Sequence, residues 1–277
     1  MSSPSITSNL KLFDASLVHH DSSNDFTLFT ASIISGVSET GLIPNGDSDV
    51  LISAYTADGT LLWEFLFGNS SVEESPSISV SSLYDSVFIG ATISGSLGKN
   101  LSGGSKDIGL SRYDLNGDLI WQRVLGSTGN QVLTDLLVTD SGNLLVLGHT
   151  SGSSEGLYGQ SLFGDGSDVD SFLTAYSIDG ERLWTHQFGS EFDDIMLAMN
   201  LQHVPDIGST SDNPITSETL VLAGFVQADQ KQGWIELLDL SNTLDGDTPF
   251  LPPTRPTIAL TQDQFVSTAG IPSLVIE

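Results

Sequence analysis

Six aspartates sit where this chain could hold a cation: Asp47, Asp49, Asp107, Asp165, Asp168 and Asp170. Each lies in or beside a stretch rich in glycine and serine. Calcium takes carboxylate and carbonyl oxygens offered by bendable backbone of this kind. The densest case is Gly164-Asp165-Gly166-Ser167-Asp168-Val169-Asp170. It lacks the terminal Glu of an EF-hand loop, and it does not follow the nonapeptide of calcium-binding β-helices. A structural reading competes with the chemical one. Asp and Gly end strands, and an Asp side chain at a strand start accepts from nearby loop amides, tying the loop down.

Other chemistries find less support. Cysteine is absent, which excludes disulfides, thiolate metal sites and a Cys nucleophile. His19 and His20 are adjacent and point to opposite faces of a strand, while His149, His186 and His203 lie in different elements without ligand spacing. No Gly-x-Ser-x-Gly elbow announces a serine hydrolase. A pair of carboxylates would serve a glycoside hydrolase or lyase, but only their geometry can reveal one.

The elements that must position these residues repeat. Asp49, Tyr55, Asp58-Gly59, Trp63 and Gly68 are answered by Asp107, Tyr113, Asn116-Gly117, Trp121 and Gly126. Asp170, Tyr176, Asp179-Gly180, Trp184 and Gly189 form the third copy. The copies are 58 and 63 residues apart, a period that means stacked structural units. Each Asp opens a strand, each Gly of the turn supplies positive φ for a hairpin, and each Trp lies on the returning strand.

A second strand pair precedes each hairpin. Its second members are Phe26 to Ser32, Val87 to Thr92, Leu145 to Thr150 and Val221 to Phe225. Its first members are Ser16 to His20, Ile78 to Leu83, Leu133 to Thr139 and Ile195 to His203. The unit is thus four antiparallel strands, a–b–c–d. Four copies run over about 10–68, 72–126, 130–189 and 194–250, and a tail or linker follows over 251–277. The fourth copy has Gly233 in the Asp slot and no Trp on its last strand. The fold class expected is all-β, a β-propeller of four-stranded antiparallel blades, since such repeats with a Trp and turn glycines mark propeller blades. Four blades close as a small ring, or the units belong to a larger ring completed by a second copy or by further sequence.

The run from Asp107 to Gly126 is followed by Val138 to Thr150, with its turn Ser141-Gly142-Asn143 and its ending Gly148-His149-Thr150. Together they resemble the bacterial β-propeller repeat of the SBBP type. The likeness spans about 26–240. It implies a propeller in a large secreted or surface-associated bacterial protein, and it implies no reaction, because that family shares no catalytic residues.

Acidic residues number 35 against 8 basic ones, a formal net charge of −27. Such a surface repels nucleic acid and anionic membranes and favours cations or basic partners. No apolar run is long enough for a membrane span, and the N-terminus shows no cleavable signal peptide. Three expectations follow. The first is a non-catalytic interaction module, extracellular or on the cell surface, presenting an acidic loop face to calcium and to a protein or carbohydrate ligand. The second is a carbohydrate-active enzyme with carboxylates in a central funnel. The third is a homo-oligomer.

Overall fold

The computed structural model describes residues 9–20, 25–97, 104–152, 157–159, 167–205, 216–227, 231–240 and 258–260. These residues are all-β, with one short 3₁₀ turn at Leu157–Gly159 and no α-helix. No helix among them is long and apolar enough to cross a membrane.

The strands form four four-stranded antiparallel sheets, each built from consecutive strands. Sheet 1 holds β1 (Asn9–His19), β2 (Phe26–Ser35), β3 (Asp49–Thr56) and β4 (Leu61–Phe67). Sheet 2 holds β5 (Glu73–Ser81), β6 (Ser86–Ile93), β7 (Asp107–Tyr113) and β8 (Leu119–Leu125). Sheet 3 holds β9 (Asn130–Val138), β10 (Leu144–Ser151), β11 (Asp170–Tyr176) and β12 (Arg182–Phe188). Sheet 4 holds β13 (Asp193–Pro205), β14 (Thr216–Gln227), β15 (Lys231–Asp239) and β16 (Ile258–Leu260).

The central strands are buried on both faces. Every position of β6 and of β11 is buried. A strand covered on both sides reads as a continuous apolar run, which is why period-two alternation is weak along this chain. Three core clusters fill the spaces between successive sheets. Phe29, Ile52 and Phe67 of sheet 1 meet Val87, Ile89 and Ile93 of sheet 2. Phe88, Leu110 and Leu125 meet Leu136, Val146 and Phe172. Leu147, Leu173 and Phe188 meet Met196, Met199 and Leu222. Each such side chain contributes about 1.5–3 kcal/mol on burial.

The turn glycines do what the hairpins require. Gly59, Gly117 and Gly180 have φ of 85°, 91° and 77°. In each hairpin the Gly N–H donates back to the residue that opens the turn, Thr56, Asp114 or Ser177.

The first strands β1, β5, β9 and β13 touch one another in succession. All four are longer than the alternation suggests, and all begin earlier. A bulge explains both facts. Register shifts fall between Leu12 and Asp14, Glu74 and Ser77, Leu133 and Asp135, and Met196 and Ala198. An extra residue breaks the period and re-aims the side chain that follows. The strand expected to start at Ser16 therefore starts at Asn9, and Asp14 belongs to it.

The last sheet also differs from expectation. Its fourth strand is Ile258–Leu260, which pairs with Gly233–Ile235. It comes from beyond Pro252-Pro253, within the segment 251–277. Asp245-Gly246-Asp247, whose residue types read as a turn, lies outside the described residues.

Candidate functional site

The bulges converge on a cleft of about 490 Å³ lined by Phe13, Asp14, Pro76, Ser77, Asp135 and His149, among others. Three of these residues form a ladder across the sheets. Asp14 Oδ2 accepts from the backbone N–H of Ile78 at 2.9 Å and from the Ser77 hydroxyl at 2.8 Å. Ser77 Oγ accepts from Leu136 N–H at 3.2 Å and lies 3.5 Å from Asp135 Oδ1. Asp135 Oδ2 accepts from Met199 N–H at 3.1 Å. In each step the residue just past the bulge of one sheet holds the N–H of the next sheet. Asp14 and Asp135 also cap their own following amides, Ala15 and Leu136, at 2.8 and 2.9 Å. The fourth sheet has Ala198 at this place, which offers no acceptor.

Electrostatics follow from the geometry. Burial pushes the Asp135 carboxyl up, the Met199 and Leu136 amides pull it down, and the Asp14 charge pushes it up again. His149 is held below its usual range by burial. Its Nε2 lies 2.8 Å from Met196 O. A carbonyl only accepts, so Nε2 carries a proton and donates it to Met196 O. This bond ties sheet 3 to the bulge of sheet 4.

The repeated aspartates lie elsewhere. Asp49, Asp107 and Asp170 are buried, one per sheet, at the starts of β3, β7 and β11. Asp49 Oδ2 accepts from Asn45 N–H at 2.9 Å, and Asp107 Oδ2 from Gly104 N–H at 3.2 Å. Both thus tie down the loop that leads into their strand. Asp170 Oδ2 accepts instead from the Gln187 side chain at 2.8 Å. Asp47 is exposed, and Asp168 is half-buried and accepts from the Ser167 hydroxyl. Asp165 lies outside the described residues. Among the described residues no three His, Asp or Glu side chains come together as a metal site needs.

The repeat aspartate has a companion that its motif omits. Glu73, Gln131 and Asp194 follow Asp49, Asp107 and Asp170 at the same offset of 24 residues. Their side chains accept from the amides of Asn69, Ser127 and Ser190 at 3.2, 2.8 and 2.7 Å. Their own N–H groups donate to Ser48 O, Lys106 O and Val169 O. The fixed offset was a signal available in the chain. Asp14, Ser77, Asp135 and His149 had none, because the place past the bulge is filled by different residue types from sheet to sheet.

The tryptophans are framework. Trp63 Nε1 donates to Leu115 O at 3.1 Å and Trp121 Nε1 to Ile178 O at 2.9 Å, each on the hairpin of the next sheet. Trp184 is buried in the cluster between sheets 3 and 4.

No family model matches the chain. A stretch of 135 residues, 47% of the chain, is 30% identical to "Regulatory protein FlaEY" of Caulobacter vibrioides (strain ATCC 19089 / CIP 103742 / CB 15). The match spans 13% of that protein's length. The solved structure of rhamnogalacturonan lyase YesW resembles this fold with a TM-score of 0.25 at 13% identity, over 83% of this chain and 52% of that one. A likeness at that TM-score assigns neither fold nor activity.

Proposed function

We propose that the chain is a β-propeller interaction module whose four sheets are the blades of one ring and whose first strands line its centre. The observation that carries this reading is the ladder Asp14–Ser77–Asp135. Its carboxylates already accept backbone amides from their own and the neighbouring sheets. A carboxylate committed to two amides holds the frame and is poorly placed to shuttle protons, so the cleft is suited to binding. Its chemistry favours a saccharide: carboxylate and hydroxyl oxygens to accept and donate, beside the half-exposed ring of Phe13. Aromatic faces and a few fixed polar groups are how such pockets orient a ligand. The 13% span on the Caulobacter relative fits a module carried within longer chains. A secreted or cell-surface setting fits the SBBP-type repeats and the acidic surface.

The test is binding of the purified chain to a panel of neutral, acidic and basic oligosaccharides, followed by calorimetry on any that bind. Phe13→Ala should weaken binding about tenfold or more while the melting temperature holds. Binding that survives Phe13→Ala unchanged would move the ligand site away from the cleft.

A second reading keeps the same cleft and makes it a glycoside hydrolase or lyase site. The observation in its favour is the half-buried Asp135 carboxyl, pushed up by burial and by a second carboxylate, as a general acid would be. Cleavage of a bound oligosaccharide, abolished by Asp135→Asn, would select it.

A further inference from the structure

Between sheets 1 and 2, Asp49 is 0% exposed and Glu73 is 1% exposed. One oxygen of each is used: Asp49 Oδ2 by Asn45 and Glu73 Oε1 by Asn69. The other oxygens, Asp49 Oδ1 and Glu73 Oε2, are buried without any donor. The two carboxyls crowd one spot. A Cβ on Gly68 would come within 2.6 Å of Glu73 Oε2 and 3.1 Å of Asp49 Cγ. Two anions cannot share so small a dry space, since the charged form of each loses its hydration and meets a like charge. A proton on one oxygen turns the clash into a donor–acceptor pair.

We propose that Glu73 and Asp49 hold one proton between them, forming a buried acid–carboxylate lock on sheets 1 and 2 that loosens in alkaline medium.

The chain supplies its own comparison. At the next interface the place of Glu73 is taken by Gln131, with the same i−4 amide bond and the same backbone donation. An amide is the permanent neutral counterpart of a protonated carboxyl, and here its Nε2 donates to Ser127 Oγ and Thr150 Oγ1. At the third interface the place is taken by Asp194, which accepts from Ser190, and Asp170 receives its donor from Gln187 on the neighbouring strand. A cation would not be replaced by an amide, whereas a proton is.

Burial raises Glu73 to about 8, and the charge of Asp49 adds to the rise. Asp49 on β3 is the charged group that acts on Glu73; the adjacent Glu74 is exposed and paired with Lys106 at 2.5 Å. The folded chain keeps the Glu73 proton up to about pH 8, while the unfolded chain releases it near 4.5. Stability from this group is therefore complete below 4.5, falls as pH rises towards 8, and changes no further above that.

The experiment compares the full chain with Glu73→Gln. Between about pH 5 and pH 8 the folding constant of the unsubstituted chain should fall, relative to that of the variant, by up to about tenfold per pH unit. At about pH 6 the two folded proteins should comigrate on native electrophoresis, because Glu73 is already neutral, while Glu74→Gln shifts by one charge. Parallel stability curves, or a one-charge shift for Glu73→Gln, would overturn the proposal. If Glu73→Gln does not fold, infrared spectra of the unsubstituted chain decide. A protonated-carboxyl stretch at about pH 6 that fades above about pH 8 supports the lock, and its absence at the lower pH overturns it. Calcium that raises the melting temperature and strips this stretch would assign the pair to a cation instead.

Discussion

The indole of Trp121 lies directly over Gly180. A Cβ at Gly180 would come within 2.8 Å of the ring, and the same ring donates to Ile178 O two residues before it. Trp63 sits over Gly117 in the same way, one sheet earlier. The Trp of one copy and the turn Gly of the next are thus two halves of one contact. Gly180→Ala adds a methyl under the ring and a side chain at φ of 77°. It should cost about 3 kcal/mol, read as a lower denaturation midpoint. Ala at Gly152, also at positive φ but with open space around it, should cost about 1 kcal/mol and serves as the control.

In the second copy the Asp and the strand-end Gly are paired just as closely. A Cβ on Gly126 would fall 2.0 Å from Asp107 Oδ1. Gly126→Ala should destabilise by several kcal/mol, about 3–5, as overpacking of a buried polar site does. In an Asp107→Ala background the same substitution should cost less than half as much. Equal costs in both backgrounds would mean that the carboxylate is not what excludes a side chain there.

Asp14 and Asp135 meet at Ser77. Asp14→Ala leaves the Ile78 amide without its acceptor, and Asp135→Ala does the same to Met199. Each should cost about 1–3 kcal/mol. Because Ser77 touches both, a double-mutant cycle should show coupling of about 0.5 kcal/mol or more. Strict additivity would mean that the two ends of the ladder act alone.

His149 sets an acid limit. Its folded pKa is lowered by burial, so the unfolded ring takes a proton first as pH falls through about 6.5. The stability it contributes is present above about 6.5 and is lost progressively below it. His186, lowered for the same reason, adds to the loss. His149→Gln should lower stability at about pH 7 but flatten its fall between about pH 7 and pH 5, measured by thermal unfolding across that range.

The repeating letters are legible because they face one another across sheet boundaries that recur. Trp121 needs Gly180, and Asp107 needs Gly126, so spacing alone marks them. From those letters the all-β class and the four-strand unit follow. The first strands look short in the sequence because each carries a bulge, and a bulge has no composition of its own. That conceals Asp14, and with it the cleft. The ladder stays hidden for a further reason: Asp14, Ser77 and Asp135 do one job with two residue types, and the fourth place has Ala198. The strand Ile258–Leu260 falls in the run Thr257 to Thr261, which reads as a possible strand after the Pro252-Pro253 pair, but three residues do not reveal which strand they pair with.

The closeness of Asp107 and Gly126 has a consequence for how such a chain changes over generations. Neither position can vary freely while the other stays. A side chain gained at the glycine is tolerated once the aspartate has gone, but not before. The two positions therefore behave as a single inherited character, and drift in one copy must begin at its aspartate. In the fourth sheet the corresponding strand opens with Lys231 and not with an aspartate, so this constraint is absent there.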